Sequence, residues 1–476
     1  MSKINIFLGV MSAGLLLRPA ACNCEELKAA IHVHGSFSHG STVSADDIVR
    51  RAQEKGIGAV VFTDTALAQW EYGIRPLENI LRVFIKKPSI LEIGAGKYIN
   101  EINRLREKYP GMVILPGTEA AAYYRWEGRP WNKLIMRDWN RHMLIIGMEH
   151  PEDYEGLPVM GNRKGYSFNW LLLWPLLAAA TAFVLWKRQL RKTSALVAGI
   201  AALFIINAYP FSRFVSSPYS NYTSWEPYIN LAAYGFKKNA LVFWAHPEAP
   251  NWVNPVPLSG RVSVQTDKYP QCLQAVPQAH GFGIFMEGYK HMAQQGNEWD
   301  CALKNYLEGK RPAPAWAISE VDFVSPGFLG TDIDTNYIIA DVSEKSAPAL
   351  LEAIRKGRFQ AVNPSGRGVV KDTIRFSTWT VSGVLSSVVA GETLYGEEKP
   401  KIKAGVVCSQ GNVPFADIRI IRNGEVIFSE RRPLPAFIEL EDAGNKAEKS
   451  FYRVMAENVN SMAASNPIFV FRAAKK

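Results

Sequence analysis

At 476 residues, with 47% hydrophobic side chains and 13 Trp, the chain is long and apolar enough for two domains or one large α/β barrel with additions, which excludes a disordered class. Its net charge of +10 points to an anionic partner, but the basic residues are dispersed. No long Lys/Arg run, finger or RNA-binding motif occurs, so an anionic surface or substrate is expected and nucleic acid is not.

Residues 1–24 read as a signal peptide or N-terminal anchor. Lys3 supplies the basic start, Ile4 to Leu17 the apolar stretch, and Arg18-Pro19-Ala20-Ala21-Cys22 the small-residue end. Cleavage near Ala21, a lipoprotein junction at Cys22 and an uncleaved anchor are all open. Five cysteines are too few for a disulfide scaffold, although Cys272 and Cys301 are able to pair in an oxidising compartment.

Ala30 to His34 predicts a short strand that projects His32 and His34 to one face with period 2. Gly35 and Gly40 then permit a loop returning His39 to that face, so three of the eight histidines fall within eight residues. Ser44 caps a helix running to about Lys55, stopped by Gly56. Ile57 to Phe62 is a continuous apolar run of the parallel-strand kind, ending in Thr63-Asp64-Thr65. The pattern recurs: a helix over 96–108, a strand over 112–115 and then Pro116-Gly117-Thr118-Glu119. A strand over 143–146 is entered through His142. A helix over 228–236 leads to a strand over 240–244 that ends in Ala245-His246-Pro247. Phe282 to Phe285 leads to Glu287, and a helix over 297–307 precedes a strand over 315–318 and Ser319-Glu320-Val321-Asp322. Ligand-capable side chains at successive strand ends are the layout of an α/β barrel.

Residues 168–210 break this rhythm with two uncharged apolar runs around Lys187-Arg188-Gln189-Leu190-Arg191-Lys192. They predict a transmembrane helical hairpin with a cytoplasmic turn, placing residues 25–167 and 211–366 in the periplasm or outside the cell. The competing expectation is a buried helical pair or an oligomer interface. From residue 367 short alternating segments predict a C-terminal β-sandwich, with Asn423-Gly424 as a turn and 466–471 as an edge-like last strand.

His32-x-His34 with His39, Thr63-Asp64-Thr65, Pro116-Gly117-Thr118-Glu119, His142, Ala245-His246-Pro247 and Ser319-Glu320-Val321-Asp322 stand in the order of the motifs of a known superfamily. In them the sequence resembles the PHP (polymerase and histidinol phosphatase) superfamily. Residues 348–362 and Ser465-Asn466-Pro467-Ile468 resemble the tail of its carbamate- and ester-cleaving branch. The resemblance covers about residues 29–366 outside the insertion and, more loosely, 415–472. It implies a distorted (β/α)7 barrel, interrupted here by the hairpin, and two or three divalent ions (Zn, Mn or Fe). His32 and His34 resemble ligands of a first metal, Glu119 the bridging carboxylate, and His142 and His246 ligands of a second. The late Asp-x-His pair falls on Glu320-x-Asp322, with Glu320 completing the first site and Asp322 and His39 serving a third. A shifted register that puts Asp322 in the first site is open. Thr65 stands where the family has a histidine, and Asp64 is placed to compensate.

Two ions sharing a carboxylate would hold a bridging hydroxide, and the resemblance implies that it hydrolyses a phosphomonoester or phosphodiester; Glu119, Asp64 and His39 are the catalytic candidates. A carbamate or amide hydrolase and a catalytically silent metal-binding or assembly module are the alternatives. Arg125, Arg129, Arg137 and Arg141, interleaved with aromatics, are placed to bind phosphate oxygens of a small-molecule or lipid-linked substrate, or to form a basic loop at a membrane surface. His150, His280 and His291 lie outside the motifs; His280 is a lesser candidate for substrate contact and Glu287 for shaping the pocket.

Overall fold

Strands whose residues are buried on both faces need apolar side chains throughout, and two four-residue runs meet that demand. Ala59–Phe62 and Leu241–Trp244 are buried at every position. The computed structural model describes residues 24–285, 287–328, 331–364, 373–396, 399–409, 414–459 and 461–472; the expected leader lies outside them except for Cys24.

Glu25–Val33 pairs in parallel with Ala59–Phe62 on one side and Trp316–Phe323 on the other. The first neighbour continues to Val113–Leu115, and the second to Gly281–Phe285 and then Leu241–Trp244, all parallel. His142–Ile146 then runs antiparallel between Leu241–Trp244 and Gly117–Ala121. Only Pro116 separates Gly117–Ala121 from Val113–Leu115, so the pairings return to their start. A bridge between Thr65 and Glu119 lies at this seam. Helices pack outside. In Ala45–Glu54, Ser44 Oγ accepts from the Asp47 amide, and Ile48, Val49 and Ala52 are buried at helical spacing. Two expected boundaries move. Gly117 to Glu119 begin a strand rather than a loop, and Glu320 to Asp322 lie within a strand rather than beyond its end.

The C-terminal region is β-rich but continuous with this sheet. Tyr337–Val342 pairs antiparallel with the first half of Glu25–Val33, and Phe359–Asn363 and Met462–Ser465 follow in order. A second sheet holds Ile374–Ser382, Ser387–Val389, Lys401–Cys408 and Ala436–Glu441. The last strand, Ile468–Phe471, is not an edge. It is paired on both sides, by Lys449–Glu457 and Thr393–Tyr395, and Ile468, Phe469 and Val470 are buried. Cys272 and Cys301 are both free, the first buried and the second exposed.

A buried ion pair ties the two regions together. Arg453 donates from Nε to Asp300 Oδ1 at 2.7 Å and from Nη2 to Oδ2 at 2.8 Å, both side chains fully buried, with the guanidinium 4.5 Å from the Trp299 ring centre. Breaking one side of such a pair leaves an uncompensated charge and costs roughly 3–5 kcal/mol. Asp300→Ala is therefore expected to lower the apparent Tm in detergent by several degrees; an unchanged melting curve would contradict the role of this pair.

The insertion forms two helices, Trp174–Lys187 and Arg191–Ala208, antiparallel and closed at the base by pairing of Ser167–Phe168 with Ser212–Arg213. Trp170–Lys187 and Arg191–Ala208 are each long and apolar enough to cross a membrane, and only 11% and 22% of the two spans is buried. Leu177 and Trp170, 73% and 72% exposed, show that the apolar surface faces outward, unlike a soluble core. Replacing residues 169–210 by a Gly/Ser linker in a leaderless chain is expected to move the protein to the soluble fraction with metal binding intact. A leaderless protein that keeps the helices and stays soluble without detergent would contradict the spanning reading.

Candidate metal centre

The site is built where strands end and the backbone leaves regular geometry. His32, His246 and Asp322 have φ of 72°, 32° and 45°, a left-handed region that non-glycine residues seldom adopt. At His32 the register shifts between Ile31 and Val33 in both neighbouring pairings. The expected period-2 alternation is thus interrupted by a bulge, which re-aims the imidazole toward the centre.

Glu119 lies at that centre, 6% exposed. Its Oε1 is 3.2 Å from His32 Nε2, 2.6 Å from His142 Nδ1 and 3.2 Å from His246 Nε2, while Oε2 is 3.6 Å from His34 Nε2. Asp322 Oδ1 stands 3.4 Å from the Nε2 atoms of both His32 and His34. His32, His34 and Asp322 form one donor cluster, and His32, Glu119 and His246 a second that shares His32. These two overlapping clusters are suited to a binuclear centre. The donors are nitrogen and oxygen only, which suits zinc, manganese or iron and not a thiolate zinc site.

The surrounding hydrogen bonds fix which atoms face inward. His32 Nδ1 meets Glu320 Oε2 at 2.9 Å, which places a proton on Nδ1 and turns Nε2 toward the cluster. His32 Nε2 is buried without a hydrogen-bond partner among the described residues, although it faces two carboxylates. Burial lowers this imidazole, but Asp322 and Glu119 raise it well above its ordinary range, so Nε2 carries either a proton or, as a ligand, a metal ion. His34 Nδ1 is 2.9 Å from Ser38 Oγ, and Ser38 in turn donates to Asp64 Oδ1 at 2.8 Å and accepts from the Thr65 amide at 2.9 Å.

Charge follows geometry. Burial pushes the Glu119 carboxyl up, but the His142 and His32 imidazoles more than offset this and hold it well below the usual range. Burial lowers the His246 imidazole, yet its contacts with Glu119 raise it to about 9. Asp64, buried with few compensating charges, is raised to about 6.

The sequence-derived residues are distributed as follows. His32, His34, Glu119, His142, His246 and Asp322 converge. Glu320 does not face the cluster: it is fully buried behind His32 and accepts from the His246 backbone amide at 2.5 Å, so it positions two other members. Two residues on, Asp322 adopts positive φ, and its carboxylate faces the imidazoles of His32 and His34. His39 is exposed, set edge-on to Trp70 at 6.1 Å. Asp64 sits behind His34 through Ser38. Arg125 and Arg141 both pair with Asp138, at 3.2 and 3.1 Å, and Arg137 pairs with Glu127 at 2.8 Å; Arg129 lies over the exposed Trp131. Three of the four expected phosphate binders thus have carboxylate partners. His280 accepts from the Val242 amide, and burial pushes it down to about 4, as befits a core residue. Glu287 is half-buried, and burial raises it to about 7. Sequence reasoning missed Ser38 and Gly283. A Cβ on Gly283 would lie 1.9 Å from Glu320 Oε1, so the glycine makes room for the carboxylate.

No family model and no curated protein matches the chain. Among solved structures it is similar to a two-domain protein from Bacteroides vulgatus containing a predicted PHP-like metal-dependent phosphoesterase, at 13% identity, TM-score 0.35, 91% of this chain and 90% of that one. It is also similar to a protein from Bifidobacterium adolescentis named as a metal-dependent phosphoesterase, at 15% identity, TM-score 0.28, 63% of this chain and 89% of that one. TM-scores this low carry no structural argument, and the reading of the site stands on its own side chains. Those side chains form two overlapping donor clusters of the kind that holds divalent metal ions.

Ser38→Ala removes the group that orients His34 without removing a donor. It is expected to weaken metal binding about 10- to 100-fold, the usual effect of losing such a support. Chelator competition measures this; unchanged affinity would mean that the hydroxyl does not set the His34 ring.

Proposed function

We propose that the protein is a membrane-anchored, metal-dependent hydrolase of the PHP type that cleaves a phosphomonoester or phosphodiester outside the cytoplasm. The observation that carries the reading is Glu119, one buried carboxylate whose two oxygens face the nitrogens of four histidines. His32, His34 and Asp322 would hold one ion and His142 and His246 the other, with Glu119 between them. Ions held there would supply Lewis-acid activation of water and neutralisation of charge on the departing oxygen. The protein's own part is to keep the imidazole lone pairs inward through Glu320 and Ser38 and to exclude bulk water by burial. His39, exposed and on the same loop, is placed to meet the substrate rather than the ions. Support comes also from the chain order of the motifs and from the absence of cysteine among the donors.

The outward orientation follows from the basic turn 187–192 between the two apolar helices, which the positive-inside tendency places in the cytoplasm. Both helix ends at the base then lie on the far side with the site.

Glu119→Gln is expected to abolish hydrolysis of chromogenic phosphate esters and to lower metal content at both positions, read by metal analysis and kcat. Two unit charges 4 Å apart interact by about 4 kcal/mol at an effective dielectric of 20, and two divalent ions by about four times that. An amide removes the compensating charge, so the loss should exceed the roughly 10- to 100-fold of a supporting residue. Thr65→Ala should keep most activity, since the Thr65 contact to Ser38 is made by its backbone amide. An active Glu119→Gln protein with full metal content would contradict the bridging role.

A further inference from the structure

Beside the helical pair, a β-hairpin of Gln69–Gly73 and Arg82–Lys86 carries an unusual load of exposed apolar side chains. Ile74, Leu81, Val83 and Phe84 are all at least half exposed, Val83 reaching 74%. The loop at its tip is fixed to the end of the second apolar helix. Asn79 N donates to Asn207 Oδ1 at 3.0 Å, Asn79 Nδ2 to the Asn207 carbonyl at 2.7 Å, and Asn207 Nδ2 to the Pro76 carbonyl at 3.2 Å. Asn207 precedes the last residue of that helix, and Tyr209 follows it. If the helices span, these bonds set the loop at the level where the bilayer core meets its headgroups, which is where exposed apolar and basic side chains are both favourable.

A cavity of about 480 Å³ opens between the loop and the helices, with Arg75 and Arg213 on its polar side and Leu172, Trp174 and Phe204 on its apolar side. Glu78 also lines it and leaves the three charged groups at net +1. Arg213 has no carboxylate partner among the described residues. Arg75 is held by a 2.8 Å bond to Ser217 Oγ and lies over Tyr219, 4.8 Å from the ring centre, with no ion pair to a carboxylate among the described residues. A guanidinium held in place without a counter-ion suits the phosphate of a ligand. The apolar wall continues the lipid-facing surface of the helices, so the remainder of that ligand is an acyl chain.

We propose that this junction cavity binds one anionic phospholipid, its phosphate between Arg75 and Arg213 and its acyl chain along Trp174 and Phe204, and that the 69–86 hairpin lies in the interfacial layer beside it. The inference rests on the membrane-spanning reading and is independent of the hydrolase chemistry.

The test uses the full chain in vesicles of equal phosphatidylglycerol and phosphatidylcholine. Lipid retained through mild detergent extraction is identified by mass spectrometry for wild type and for Arg75→Gln/Arg213→Gln, and carbonate extraction is run in parallel. Expected are retained lipid enriched severalfold in phosphatidylglycerol, loss of that enrichment in the double variant, no displacement by millimolar inorganic phosphate, and carbonate resistance of both proteins. Carbonate-resistant protein whose retained lipid matches the bulk mixture, or is unaffected by the substitutions, would overturn the lipid site and leave the spanning reading standing. Displacement by inorganic phosphate would overturn the lipid as the occupant. Release of the wild type by carbonate would overturn the spanning reading and the site with it.

Discussion

A buried carboxylate surrounded by imidazoles is the constraint on which this structure turns. Glu119 is removed from water at a cost that its neighbours must offset, and the charge and hydrogen bonds of the surrounding histidines do so. The same cluster that stabilises Glu119 by taking up protons would hold cations in their place, because each imidazole already has its lone pair or its proton directed at the carboxylates. Ion binding at these donors would thus be coupled to release of protons.

Everything immediately around the cluster serves to aim those groups. Glu320, fully buried, meets the His32 ring and accepts from the His246 backbone, so one carboxylate sets residues from two strands. Ser38 links His34 to Asp64 and to the Thr65 amide beside the Thr65–Glu119 bridge. Three positive φ values at His32, His246 and Asp322 are the local strain that convergence requires, and at His32 the pairings of Ile31 and Val33 with both neighbouring strands hold it in place. The rigid centre is then joined to a C-terminal region whose strands extend the same sheet and whose Arg453 is buried against Asp300.

The course of the strands was legible because buried parallel strands demand continuous apolar runs, and polar residues at their ends then stand out. The two apolar helices were legible from composition alone, since charge is absent over both runs. The distinct roles of Glu320 and Asp322 were not. They are two residues apart on one strand, and only the positive φ at Asp322 separates the acid behind His32 from the one that faces the imidazoles. The bulge at His32 was equally hidden, for no glycine marks it. The carboxylate partners of Arg125 and Arg137, Asp138 and Glu127, were not legible either, because they lie across a hairpin whose register short-range patterning does not specify. Continuity of the C-terminal strands with the first sheet depends on long-range pairings such as Gln360 with Ser465, which no local pattern encodes.

X-ray absorption of the metal-loaded protein tests the central assignment most directly. The account predicts two ions per chain, nitrogen and oxygen scatterers only, and a metal–metal vector of about 3.5–4 Å, the separation of ions that share a substrate. A single ion per chain, a sulfur shell, or a spectrum without a metal–metal contribution would contradict a binuclear centre bridged by Glu119.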